Sequence, residues 1–207
     1  KFSPDNKFCP SFSKDHTAKI WDAGTGILLN TLKVHTDEIY SAVFSPDGTK
    51  IGTASSDRTC RIWETLTGKI LNVLREHEGT INTVQFSEDG STLLTVGTDM
   101  SFRLWNIKTG NIIRKIFDVS LRANAAEGDY VVQAQFSPDG KSVLSSSRVY
   151  FAQVWDAATG KLKFNLENKA FIDLAVFSND GNWLVTDNII PQGKDGSWFA
   201  GQANIIK

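Results

Sequence analysis

A histidine, a threonine, an aspartate and a tryptophan follow one another as His35, Thr53, Asp57 and Trp63, and again as His77, Thr95, Asp99 and Trp105. Eighteen residues separate histidine from threonine in both sets. A hydroxyl, an imidazole and a carboxylate are the parts of a nucleophilic triad, in which the imidazole takes the hydroxyl proton and the carboxylate orients the ring. The set occurs twice, each copy ends on a tryptophan, and neither sits in a G-x-S-x-G elbow, which reads against catalysis. The third histidine, His16, stands beside Asp15 in a polar turn and is expected to be solvated. The chain shows no metal-ligand spacing, no Walker loop and no dinucleotide fingerprint, and its glycines cluster in turns. Catalytic residues, cofactors and metals are therefore all expected to be none.

The elements that must position these residues come from a repeat. One short phrase returns about every forty-two residues: KFSPDN from Lys1, VFSPDG from Val43, QFSEDG from Gln85, QFSPDG from Gln135 and VFSNDG from Val176. A tryptophan follows each of the first four phenylalanines by nineteen residues: Phe2 to Trp21, Phe44 to Trp63, Phe86 to Trp105 and Phe136 to Trp155. A period in this range signals a repeat architecture. In the second copy, Ile39 to Phe44, Lys50 to Ser55, Thr59 to Trp63 and Lys69 to Leu74 are short runs of β-formers. Ser45-Pro46-Asp47-Gly48, Ser56-Asp57-Arg58 and Thr67-Gly68 turn the chain between them. Each unit is thus expected to be four antiparallel strands, too small to bury both faces alone and dependent on neighbours.

The Trp-Asp pairs Trp21-Asp22 and Trp155-Asp156, their relaxed forms Trp63-Glu64 and Trp105-Asn106, and the S-P-D-G turns resemble the WD-repeat (WD40, beta-transducin repeat) family across the whole chain. The resemblance implies an all-β, WD40-type β-propeller with about five four-stranded blades, at residues 1–34, 35–76, 77–126, 127–168 and 169–207. Lys1-Phe2 matches the end of a first strand and Ala203 to Lys207 a third, with Ile206 standing in for the tryptophan or falling just short of it. The first and last blades are therefore expected to be incomplete, within a larger and typically seven-bladed ring.

In that family His, Ser/Thr, Asp and Trp form a structural hydrogen-bonded set. The resemblance gives this role to His35, Thr53, Asp57 and Trp63 and to His77, Thr95, Asp99 and Trp105. An indole N–H only donates, so it reaches the hydroxyl, which donates to one imidazole nitrogen while the other nitrogen reaches the aspartate. The first repeat keeps Ser11, Asp15 and Trp21, and the fourth keeps Ser145 and Trp155 with Val149 where an aspartate is expected.

Two insertions break the rhythm, one around Ser120 to Asp129 and one at Asp187 to Gln202, the latter expected to occupy the turn between second and third strands. Both follow an even-numbered strand and are expected on one face, because successive strands reverse direction. There Trp198 and Phe199 are candidate partner anchors. The family's usual ligand rim on that face maps onto Lys14, Tyr40, Ser56, Asn82, Thr98 and Val132.

The net charge of −1 and the scattered Lys and Arg leave no basic stripe for nucleic acid. No apolar run is long enough to span a membrane and no signal-peptide pattern opens the chain, which starts at Lys1 as an excised or processed piece would. Cys9 and Cys60 fall at unlike places in their repeats, no disulfide is suggested, and a reducing, cytoplasmic setting is expected. The resemblance implies a non-catalytic scaffold for protein or peptide partners, with self-association through open strand edges. Two alternatives are the sensor propeller of a larger signalling ATPase or kinase and, less favoured, a propeller enzyme.

Overall fold

A serine and an aspartate clasp each F-S-x-D turn. Ser45 Oγ donates to Asp47 Oδ1 at 2.5 Å and accepts the Lys50 N–H at 3.0 Å, while Asp47 Oδ1 accepts the Thr49 N–H at 3.0 Å. These bonds draw the Asp47 carboxyl down to about 2 against the opposing effect of its partial burial. The same Ser–Asp bond, 2.5–2.7 Å long, recurs at Ser3–Asp5, Ser87–Asp89, Ser137–Asp139 and Ser178–Asp180. The residue after the aspartate has positive φ in all five copies. Glycine fills that place four times and Asn6, at φ 59°, once. A second turn type places His16, Arg58 and Met100 at φ 61–66°, each just after an aspartate.

The computed structural model describes residues 1–117, 131–147, 151–167, 171–191, 198–200 and 204–206, and among these it is all strands and turns. Residues 1–115 form one compact unit and 116–207 a second. The first unit carries three meandering sheets. Strands β1 (Phe8–Phe12), β2 (Thr17–Asp22) and β3 (Leu28–Lys33) form the first. Strands β4 (Ile39–Phe44), β5 (Lys50–Ser55), β6 (Thr59–Glu64) and β7 (Ile70–Arg75) form the second. Strands β8 (Ile81–Phe86), β9 (Thr92–Gly97), β10 (Ser101–Asn106) and β11 (Ile112–Phe117) form the third. In the second unit, β12 (Val131–Phe136), β13 (Ser142–Ser147), β14 (Phe151–Asp156) and β15 (Leu162–Glu167) form one sheet. Strands β16 (Phe171–Phe177), β17 (Leu184–Pro191), β18 (Trp198–Ala200) and β19 (Asn204–Ile206) form the other.

The last sheet departs from the expected plan. Asp187 to Pro191 are strand and not turn, extending β17 to eight residues. β18 pairs with the far end of β17, Pro191 opposite Trp198, and β19 with its near end, Leu184 opposite Ile206. β16 already pairs along Leu184–Ile189, so β18 and β19 share the opposite edge of β17 and together fill the third-strand position. The insertion thus lengthens a hairpin, since Ile189, Ile190 and Trp198, Phe199 are β-formers that continue the ladder. Residues 192–197 and the other insertion, Ser120 to Asp129, lie outside the described residues.

Packing explains why the central strands look hydrophobic on both sides. All of β6 but Glu64 is buried, although Cys60 and Ile62 point away from Trp63. Ile51 and Trp63 meet Ala18, Ile20 and Leu32 of the first sheet. Cys60, Ile62 and Leu74 meet Ile81, Val84, Phe86 and Trp105 of the third. The second sheet is sandwiched, so alternation of side is not alternation of burial there. Polar clamps reinforce the stacking. Asn30 Nδ2 on β3 donates to the carbonyls of Thr65 and Leu66 at 3.0 and 2.8 Å, and Asn72 on β7 to that of Ile107 at 2.7 Å. In the second unit Leu144 and Ala152 pack with Ile172, Ala175 and Leu184.

Candidate functional site

The β5–β6 hairpin sets Thr53 and Trp63 two pairs apart, and the loop between β3 and β4 brings His35 over them. Trp63 Nε1 donates to Thr53 Oγ1 at 2.9 Å, and Thr53 Oγ1 lies 2.7 Å from His35 Nε2. His35 Nδ1 lies 2.8 Å from Asp57 Oδ2. The indole can only donate, so the threonine proton goes to Nε2 and Nδ1 carries the hydrogen toward Asp57. In the third sheet Trp105 Nε1 donates to Thr95 Oγ1 at 2.8 Å, Thr95 Oγ1 lies 2.8 Å from His77 Nε2, and His77 Nδ1 lies 3.1 Å from both Asp99 oxygens. Thr53 and Thr95 are fully buried, and neither imidazole has any exposed surface. The hydroxyl that a hydrolase would aim at a substrate is closed off by its own indole.

Further partners complete the set, and sequence reasoning missed them. Asp57 also accepts from the hydroxyl and N–H of Thr59, at 2.6 and 2.9 Å, and from the Thr36 N–H. Asp99 accepts from Ser101 Oγ at 2.7 Å and from Arg103 Nη1 at 2.9 Å. Arg103 is fully buried and its Nη2 reaches the Glu76 carbonyl at 2.8 Å, whereas Arg61 stands 3.6 Å from Asp57. Burial raises the pKa of Asp57 and of Asp99, but the bonds from His35 and Thr59, and from His77 and Ser101, more than reverse this and hold both carboxyls well below the usual range. Burial lowers the His77 pKa, against the pull of Asp99. The signal available was an Asp-x-Thr/Ser-x-Arg phrase repeated at Asp57–Arg61 and Asp99–Arg103.

Gly97 makes room for the third-sheet version. A Cβ there would stand 2.3 Å from His77 Nδ1 and 2.8 Å from Asp99 Oδ1. In the second sheet Ser55 holds the same place, donating to the Asp37 carbonyl at 3.1 Å, and its imidazole meets one Asp57 oxygen instead of two.

The other sheets keep fragments. Trp21 Nε1 donates to Ser11 Oγ at 2.8 Å, and Trp155 Nε1 to Ser145 Oγ at 2.9 Å. Val149 lies outside the described residues. In the last sheet Thr186 is fully buried and its hydroxyl has no hydrogen-bond partner among the described residues. Ile206 sits opposite Leu184 as Trp63 sits opposite Ile51, so the tryptophan register position holds an isoleucine and no indole donor is supplied.

The rim candidates of the first unit gather at one end of its strands. Lys14 is exposed with its Nζ 3.5 Å from Glu38, and the half-exposed Tyr40 donates its hydroxyl to Glu38 at 3.0 Å. Ser56 Oγ lies 3.5 Å from Thr80 Oγ1, Asn82 is partly exposed on β8, and Thr98 is exposed in the β9–β10 turn. Val132 lies on β12, and Trp198 and Phe199 on β18. Among the described residues no group of acidic, histidine or cysteine side chains could hold a metal ion, and both cysteines are free.

Antiparallel meandering sheets, three of them bolted by an indole on a buried hydroxyl, define the class as repeat blades of the propeller kind. The family model for the WD domain, G-beta repeat, matches residues 26–64 and 68–106, which covers both complete His-Thr-Asp-Trp sets. Residues 26–64 and 68–106 are thus two WD repeats. No curated protein matches it.

Proposed function

We propose that the chain is a non-catalytic platform that recruits protein or peptide partners through the rim formed by Lys14, Tyr40, Ser56, Asn82 and Thr98. WD repeats generally mediate protein–protein interaction, and the observation that carries the reading here is the burial of the two triad-like sets. Thr53 and Thr95 have no exposed surface, and their lone pairs and protons are committed to tryptophan and histidine. The rim, in contrast, presents a cation, a phenol, an amide and hydroxyls at the ends of three adjacent sheets, groups suited to a polypeptide. A reducing compartment such as the cytoplasm suits the two unpaired thiols. Neither nucleic acid nor membrane enters the reading. No helix among the described residues is long and apolar enough to cross a membrane.

Affinity capture with the intact chain, compared with Tyr40→Ala/Asn82→Ala, tests the rim. The double variant should lose partners that the parent retains, roughly tenfold in recovery for a central anchor. Undiminished recovery removes the rim from the reading. Hydrolase activity abolished by Thr53→Ala in a folded protein would overturn the non-catalytic assignment.

A further inference from the structure

The opposite end of the same strands carries a groove between the first and second sheets. Its volume is about 460 Å³, within the range of small-ligand sites. Phe8 forms its apolar floor, half-buried and packed on the second sheet with its ring 6.4 Å from that of Phe44. Leu66 forms its lip and is 73% exposed. Around them stand Asp5, Asp47 and Glu64 against one ammonium, that of Lys7. Lys7 pairs with Asp5 at 3.3 Å, and Lys50 approaches Asp47 at 3.7 Å. Glu64 bonds the Thr67 hydroxyl and makes no ion pair among the described residues.

The repeat supplies an internal control. Forty-two residues on, the place of Phe8 is taken by Lys50, that of Leu66 by Lys108 and that of Glu64 by Asn106. The corresponding turn position is Gly24 in the first repeat and Ala158 in the fourth. Asp22 and Asp156 hold the Glu64 place in the first and fourth repeats, so the acidic group belongs to the turn itself, whereas an apolar residue as large as leucine at 66 is particular to this repeat. The turn that carries Leu66 is also held in place. Asn30 takes the Thr65 and Leu66 carbonyls, and Thr65 bonds back through its hydroxyl to the Gly48 carbonyl at 2.8 Å and through its N–H to that of Thr49 at 2.9 Å. An exposed leucine on a braced turn presents its side chain at little ordering cost.

We propose that this groove docks a protein segment presenting one large apolar side chain flanked by arginine or lysine, the apolar group lying between Phe8 and Leu66 and the cations facing Glu64 and Asp47. Charge complementarity chooses the occupant. The site lies at the other end of the strands from the rim and stands independently of it.

The test uses three fluorescein-labelled peptides, Gly-Arg-Leu-Arg-Gly, Gly-Glu-Leu-Glu-Gly and Gly-Arg-Ser-Arg-Gly, titrated with the intact chain by fluorescence anisotropy. The first should bind, and the other two should bind roughly tenfold more weakly or worse. Leu66→Lys and Leu66→Ala, residues that sibling repeats carry at this place, should each weaken the first peptide by about tenfold. Glu64→Asn should weaken it several-fold and flatten its salt dependence. Circular dichroism shows that each variant is folded, and either Leu66 variant alone suffices. Equal binding of all three peptides, binding by none of them, or unchanged affinity in a folded Leu66 variant overturns the proposal.

Discussion

His77 is a neutral imidazole, with a hydroxyl donating to one nitrogen and a carboxylate accepting from the other. Arg103, 2.9 Å from Asp99, gives that carboxylate a permanent counter-ion, so the ring need not be charged. Burial lowers the His77 pKa in the fold, whereas the unfolded chain protonates the ring near its ordinary value of about 6.5. Below that pH the unfolded state takes up a proton that the folded state refuses, so stability declines as the pH falls from about 6.5. Asp99 and Asp57 act in a lower window. Their contribution is complete above the ordinary aspartate value of about 3.9 and is lost as acid approaches their depressed folded values. Thermal unfolding should show a midpoint that drops between about pH 7 and about pH 5, and NMR titration of the His77 ring should centre below about 6.5. A ring midpoint above that value would show that the imidazolium, not the neutral ring, is the buried form. The His-Thr-Asp-Trp set was legible through the resemblance to WD repeats, which names the four residue types, and the spacing that both copies share fits it. Arg103 and Gly97 were not, since an arginine on an alternating strand reads as solvent-facing until the Asp99 carboxylate and the Glu76 carbonyl are seen to meet it.

Elements hold to one another through single side chains on outer strands. Asn30 makes two bonds across to the neighbouring turn and Asn72 one. Asn30→Ala should therefore destabilise the first unit by about 1–2 kcal/mol, and Asn72→Ala by about 1 kcal/mol, measured by urea unfolding. Equal stability of the Asn30 variant and the parent would mean that water replaces the clamp at no cost. The strands of the second repeat were readable almost to the residue, because a turn of fixed chemistry brackets each one. The hairpin extension at Asp187–Pro191 was not, because Asp187, Asn188 and Pro191 carry turn character and only pairing with Trp198–Ala200 makes them strand. Ile206 was legible only as one of two alternatives. Cross-strand register, which a sequence does not display, assigns it the tryptophan position.

At the scale of the molecule, the first sheet presents β1 as an edge with Phe12 44% exposed, and Trp21 is only half-buried where Trp63 and Trp105 are 2% exposed. Unpaired strand edges beside apolar surface recruit further strands. Sedimentation velocity should show the chain associating as its concentration rises, and Phe12→Lys should weaken that association. A monomer at every concentration would remove self-pairing from the account. The groove at Phe8 and Leu66 escaped the sequence because both positions vary from repeat to repeat and the two meet only when sheets stack. The Ser–Asp clasp has the longest reach. Each copy is complete within about six consecutive residues and borrows nothing from distant chain, so its closure is entropically cheap and fast. A nascent chain can fasten each hairpin as it clears the ribosome and present the next with a ready-made surface to settle on, so that synthesis and assembly run in the same direction.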